Sequence, residues 1–302
     1  MVSSLQIKKS ITSGSNYFEA AKSFGVICDS DIISFYLLET AGNYGKISQF
    51  DSNWKFLNYY NVLRAFEMLA IPYGLDYRII VTTQYGIYKL DRNFNFLRFY
   101  YDFNANYSSM YYNSSADLLF VCSGVYRRID IFDQSLTFKK SIFISSFSPK
   151  DIKAYDDFLY VSTSSKYIFV YRDQVNIQNI TTNCGSGITS SIIDQSGNLA
   201  ILCSNIIHIY SRNGTYLGAS WKSTIPNLSD MSFDNYGNLV LVATNGIFIM
   251  NNETRPINNT GISLDTSCIV NSNSKIKFTT DFQLIYIEFF FRSNFCRCFS
   301  KL

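Results

Sequence analysis

The chain has 302 residues, 47% of them hydrophobic and 16% charged, which excludes a disordered protein and supplies apolar material for a substantial core. A net charge of +3 falls short of the basic bias of a dedicated nucleic-acid binder, and no segment approaches the ~20 apolar residues that span a bilayer. The N-terminal "MVSSLQIKKSITSGSNYF" lacks the continuous apolar run of a secretory signal, so the expected compartment is the cytosol, with no membrane contact.

Read from the N-terminus, "LQIKKSI" (Leu5–Ile11) nearly repeats "LTFKKSI" (Leu136–Ile142). A short apolar run, often closed by Asp or Arg, then returns seven times: "ISQFD" from Ile47, "IYKLD" from Ile87, "IDIFD" from Ile129, "IFVYR" from Ile168, "IHIYS" from Ile207, "IFIMN" from Ile247 and "IYIEF" from Ile285. The starts recur at a nearly constant step of roughly 40 residues, a period that marks a repeat architecture. Around each run the order is constant: a strand such as "MSFDN", a turn such as "YGN", a strand such as "LVLVAT", the run itself, and a weaker strand such as "FLRFYY" or "YLGASW". Runs of Val, Ile, Phe and Tyr broken by frequent turn residues are an all-β signal. Gly197-Asn198 and Gly237-Asn238 supply residues that tolerate positive φ where a first strand reverses into a second.

Four-stranded units of this length predict a β-propeller, with seven blades as the expected count and six as the alternative. Four prolines leave no Pro-rich linker, so residues 1–290 are expected to form one domain, with 291–302 as a tail or an extra outer strand. A propeller must hide its last edge. Because "LTFKKSI" occupies a fourth-strand position, residues 5–11 are expected to complete the blade formed near 266–290. The competing closure uses "FCRCFS" (Phe295–Ser300).

The stretches "SPKDIKAYDDFLYVSTSSKYIFVY" (Ser148–Tyr171) and "MSFDNYGNLVLVATNGIFIM" (Met231–Met250) resemble the NHL-type β-propeller repeat. That repeat reads as an apolar strand ending in Asp, Gly-Asn, a second apolar strand, a polar loop and an Arg-Ile run. The chain departs from it in the polar loop, where Asn205-Ile and Asn245-Gly stand in place of Asn-His or Asn-Arg. The resemblance implies a platform for protein or peptide partners and, in some members, RNA binding. WD40 repeats are disfavoured because no Trp-Asp pair occurs, and both Trp54 and Trp221 follow third strands.

Catalytic chemistry finds few candidates. His208, the single histidine, sits in "IIHIYS", where the next repeat has Phe248, which is the position of a packed ring. Cys184 in "CGSG" lies in a crossover between blades rather than on a presented nucleophile turn. The seven cysteines (Cys28, Cys122, Cys184, Cys203, Cys268, Cys296 and Cys298) lack metal-pair spacing and are expected to be buried, reduced thiols. Asp29, Asp156, Asp194 and Asp234 all follow first strands and are expected to cap hairpins. A metal-dependent lactonase or lyase using that carboxylate ring is the enzymatic alternative. The expectation is no catalytic residue, no metal and no cofactor.

The candidate binding residues are Tyr44, Tyr85, Tyr126 and Tyr167, evenly spaced by one repeat length and each just before a third strand, together with Arg127 and Arg128. Four consecutive blades would then present an aromatic on one rim. The main expectation is a monomeric, non-enzymatic scaffold for a protein or peptide partner. The alternative is single-stranded RNA, with bases stacked among tyrosines and cations.

Overall fold

The computed structural model describes residues 7–12, 21–28 and, with short interruptions, 33–250, together with 277–279 and 284–286. After β1 (Ile7–Thr12) the chain builds five sheets, each from four consecutive antiparallel strands. The first comprises β2 (Ala21–Cys28), β3 (Ile33–Ala41), β4 (Tyr44–Phe50) and β5 (Phe56–Leu63). The second comprises β6 (Ala65–Tyr73), β7 (Asp76–Thr83), β8 (Gly86–Asp91) and β9 (Phe96–Tyr101). The third comprises β10 (Tyr107–Asn113), β11 (Leu118–Ser123), β12 (Arg128–Asp133) and β13 (Phe138–Phe143). The fourth comprises β14 (Pro149–Tyr155), β15 (Phe158–Thr163), β16 (Tyr167–Arg172) and β17 (Val175–Thr181), and the fifth β18 (Ser190–Ile193), β19 (Leu199–Cys203), β20 (Ile206–Tyr210) and β21 (Tyr216–Lys222).

A sixth sheet is composite. Its strands β22 (Leu228–Phe233), β23 (Leu239–Ala243) and β24 (Gly246–Met250) take β1 as their outer strand, with Ser10 opposite Phe248 and Ile11 opposite Ile247. The sheets themselves meet face to face rather than through a continuous ladder. Their first strands neighbour one another in order from β2 to β22, and β22 returns to β2.

Side chains fill the layers between sheets. Between the second and third, for example, Ile80, Ile87, Tyr107, Met110, Val121 and Phe132 form one buried cluster, and comparable clusters separate the other pairs. Strands covered on both faces read as continuous apolar runs, which is why β19 and β23 are buried at every residue. Gly86 opens β8 at φ +149, where a Cβ would collide with the Tyr100 carbonyl oxygen of β9. Gly197 holds φ +81 in the hairpin between β18 and β19, as its turn sequence predicts.

Two expectations need correction. Neither seven blades nor six uniform ones describes the molecule, which has five blades of consecutive strands and a sixth sheet that borrows β1. The N-terminal strand is an outer strand as expected, but it joins β24, one repeat earlier than 266–290. Closure explains both: with β22 packed against β2 the apolar faces are already covered, and no gap is left for another blade. Of the seventh repeat, Leu284–Tyr286 (β26) pairs with Lys277–Thr279 (β25) in a two-stranded ladder beside β21. The alternative closure at 295–300 and the tail at 291–302 lie outside the described residues, as do Asp29, Asp234 and Gly237.

Candidate partner-binding face

Antiparallel order divides the loops between the two faces of the disc. Hairpins joining second to third strands share one face with the crossovers from fourth strands to the next first strand. Backbone bonds knit these loops together: Gln84 N–H to Arg64 O at 3.1 Å, Asn106 N–H to Gln84 O at 3.3 Å and Ile144 N–H to Arg127 O at 2.7 Å. All four candidate tyrosines lie on this face. Tyr44 and Tyr167 begin β4 and β16, while Tyr85 and Tyr126 stand just before β8 and β12.

The tyrosines are not equivalent. Tyr44 is 74% exposed and Tyr126 is exposed at the rim. Tyr85 stacks on Phe103 at 5.7 Å, and Tyr167 packs on Phe147 at 5.1 Å, so these two act partly as spacers between adjacent blades. What the tyrosine period misses is the apolar surface beside them. Leu63, Phe66, Phe103, Val125 and Phe143 are all exposed at the same ends of the first three blades, with Phe103 60% and Phe143 73% accessible. These residues sit at strand ends and in crossovers of unequal length, so no fixed spacing marks them.

Arg127 is exposed, but Arg128 is engaged. Its Nε lies 2.7 Å from an Asp130 carboxylate oxygen, a second nitrogen lies 3.6 Å from Asp102, and the guanidinium covers the Tyr126 ring at 4.4 Å. Asp130 is fully buried and also accepts from Tyr107 Oη and Ser141 Oγ. Arg128 is therefore held by two carboxylates rather than free to meet phosphate. Arg172, which ends β16, lies on the opposite face, 3.7 Å from Asp157.

The first strands carry an acid–base belt that the repeat reading did not single out. Lys153 Nζ lies 2.8 Å from Asp151 and 3.9 Å from Glu67. Asp151 also accepts from Ser109 Oγ at 2.9 Å and from the N–H and Oγ of Ser191 at 2.8 and 2.7 Å, while Asp230 accepts from Ser190 Oγ at 2.7 Å. Glu67 takes the Met110 N–H at 2.6 Å. These bonds link β6, β10, β14, β18 and β22 around the axis. A signal for them exists: Glu67, Asp151 and Asp230 are charges inside first strands, and successive members stand two blades apart.

Burial drives the belt's titration. It raises Glu67 to about 8 against the pull of Lys153, and raises Asp230 to about 6. For Asp151 burial also raises the pKa, but Lys153 and the serine donors outweigh it and hold the carboxyl low. Because the folded state binds the Glu67 proton more tightly than the unfolded chain, that stabilisation is complete below about 4.5 and is lost as pH rises toward 8. Thermal unfolding should therefore fall by several degrees between pH 5 and pH 8, and Glu67→Gln should flatten the slope. A profile unchanged by Glu67→Gln would refute the assignment.

The catalytic candidates are placed as follows. His208 is 9% exposed, 3.3 Å from Tyr216 Oη, and burial lowers its pKa. Asp194 accepts from the Asn198 N–H at 2.7 Å and caps its hairpin, and Asp156 occupies the corresponding turn of the preceding blade on the same face, opposite the tyrosines. Among the described residues no group of three or more His, Cys, Asp or Glu side chains is placed to hold a metal ion. Cys184 and Cys203 form a disulfide, which corrects the reduced-thiol expectation for this pair. Their Cα atoms stand 5.5 Å apart because the crossover entering β18 folds back over the end of β19. Cys122 is free and buried, with its thiol pushed up by burial.

No family model matches the chain. No curated protein matches it either. Among solved structures the chain is similar to the crystal structure of the WD40 β-propeller domain of Doa1, at 9% identity and a TM-score of 0.61, over 84% of this chain and 98% of that one. At that identity the likeness is one of fold and brings no repeat motif with it. Together with the ring of four-stranded sheets, it establishes the chain as an all-β protein of the β-propeller class.

Proposed function

We propose that the chain is a non-enzymatic interaction scaffold that binds a protein or peptide partner on the tyrosine-bearing face. One observation carries this reading. The exposed apolar side chains of Tyr44, Leu63, Phe66, Phe103, Val125 and Phe143 form an arc across three adjacent blades. Contiguous apolar surface of this kind marks an interaction site, and aromatic residues dominate the energetics of such interfaces. The backbone bonds between loops keep the face rigid, so little ordering cost falls on binding. The NHL-type resemblance, a monomeric state and a cytosolic location belong to the same proposal.

The test is affinity capture of the tagged chain from lysate, with and without ribonuclease. A stoichiometric protein should survive ribonuclease. The double variant Tyr44→Ser/Phe103→Ser should lose that protein by about tenfold or more while unfolding within about 0.5 kcal/mol of the parent, since both side chains are exposed. Equal retention by the variant would refute the assignment of the face. Loss of every retained species on ribonuclease treatment would move the reading to RNA.

A further inference from the structure

The loops of the two faces differ in charge. On the tyrosine-bearing face, the charged residues among the described hairpin and crossover positions are Arg64, Asp102, Arg127 and Lys166. Asp102 faces Arg128 at 3.6 Å and is thereby neutralised. Arg64, Arg127 and Lys166 have no carboxylate within ion-pair distance among the described residues; Arg64 donates to the amide oxygen of Gln84. The opposite face carries Asp51, Asp91 and Asp133 where third strands turn into fourth, and Asp117, Asp156 and Asp194 where first strands turn into second. Lys55, Arg92 and Arg212 only partly offset them. The disc is therefore basic on the face that exposes its apolar arc and acidic on the other.

We infer that the partner presents an acidic peptide segment bearing large apolar side chains, which lies along this arc with its carboxylates toward Arg64, Arg127 and Lys166. This rests on the reading of the face as the partner site. Charge complementarity selects the sign of the occupant, because a basic segment would meet three uncompensated cations. The apolar arc supplies the affinity.

The rings favour a peptide over single-stranded nucleic acid. Stacking of bases needs open aromatic faces. Phe103 covers Tyr85, the Arg128 guanidinium covers Tyr126 at 4.4 Å, and the Lys166 ammonium lies over Tyr167 at 5.9 Å. What remains open is Leu63, Phe66, Val125 and Phe143, which suits aliphatic and aromatic side chains.

The test selects a random short-peptide display library on the full chain and on Arg127→Glu/Lys166→Glu, and reads the composition of the enriched sequences. Enrichment of Asp and Glu together with Leu, Phe, Tyr or Trp is expected. The enriched clones should bind the charge-reversed variant at least about tenfold more weakly, and more weakly as salt is raised. A neutral or basic enriched set, no enrichment, or unchanged binding by the variant would overturn the inference. So would polyuridylate that binds the chain and competes for the same face. If the library fails while capture through the arc succeeds, the scaffold reading stands and only the partner's chemistry is wrong. If capture is indifferent to Tyr44→Ser/Phe103→Ser, the reading itself falls.

Discussion

At pH 8, Lys153→Met is expected to lower the free energy of unfolding by about 3–5 kcal/mol, the range seen when one partner is removed from a buried ion pair. Among the described residues Lys153 is the one cation in contact with this axial belt, 2.8 Å from Asp151 and 3.9 Å from Glu67, and it also counters the charge on Asp230. Without it, Asp151 keeps its serine donors but loses its counter-charge, and three carboxylates face one another inside the ring. The loss should shrink toward pH 5, because Glu67, which titrates at about 8, and Asp230, at about 6, take up protons and relieve the repulsion. Urea unfolding of parent and variant at both pH values measures this directly. The double variant Lys153→Met/Glu67→Gln should recover part of the loss at pH 8. A penalty below about 1 kcal/mol, or one equal at the two pH values, would show that the belt is not an electrostatic unit.

Opening the Cys184–Cys203 bond is expected to lower stability by about 3 kcal/mol, from the chain entropy returned to the unfolded state by a loop of this size. The two residues are 19 apart, both are buried, and their Cα separation of 5.5 Å lies within the roughly 4.4–6.8 Å that a disulfide spans. The bond ties the crossover that enters the fifth blade to the end of that blade's second strand. Urea unfolding with and without dithiothreitol reads the effect, because the reductant reaches the cysteines once the chain opens. Cys184→Ala/Cys203→Ala should unfold at the same midpoint under both conditions. A parent midpoint indifferent to dithiothreitol would mean that the pair stands as two buried thiols, as the cysteine count alone suggested.

Local chemistry made much of the architecture legible. The third strands β4, β8, β12, β16, β20 and β24 fall on the Ile-led runs because residues buried on both faces write the same apolar string in each repeat. The four tyrosines reach one face because each repeat length returns the chain to the same hairpin, and antiparallel order puts all such hairpins at one end. The near-identity of "LQIKKSI" and "LTFKKSI" likewise marked β1 as an outer strand, since both strands have one exposed edge and one side to pack.

The remainder depended on distance between blades. Which strand β1 joins follows from where the ring closes, and that is set by the packing of β22 on β2 rather than by any residue in β1. Arg128 resembles Arg127 in sequence, yet one step along the strand aims it at Asp130 and removes it from the open surface. Cys184 and Cys203 meet because a crossover folds back, and Glu67, Asp151 and Lys153 meet because first strands converge on the axis. The repeat, the strand order and the face that carries the tyrosines could be read from the residues alone, since each is a periodic, local property. The blade count, the closing partner, the engaged and free cations and the axial belt came from packing, since each is a contact between residues whose separation in the chain says nothing about their separation in space.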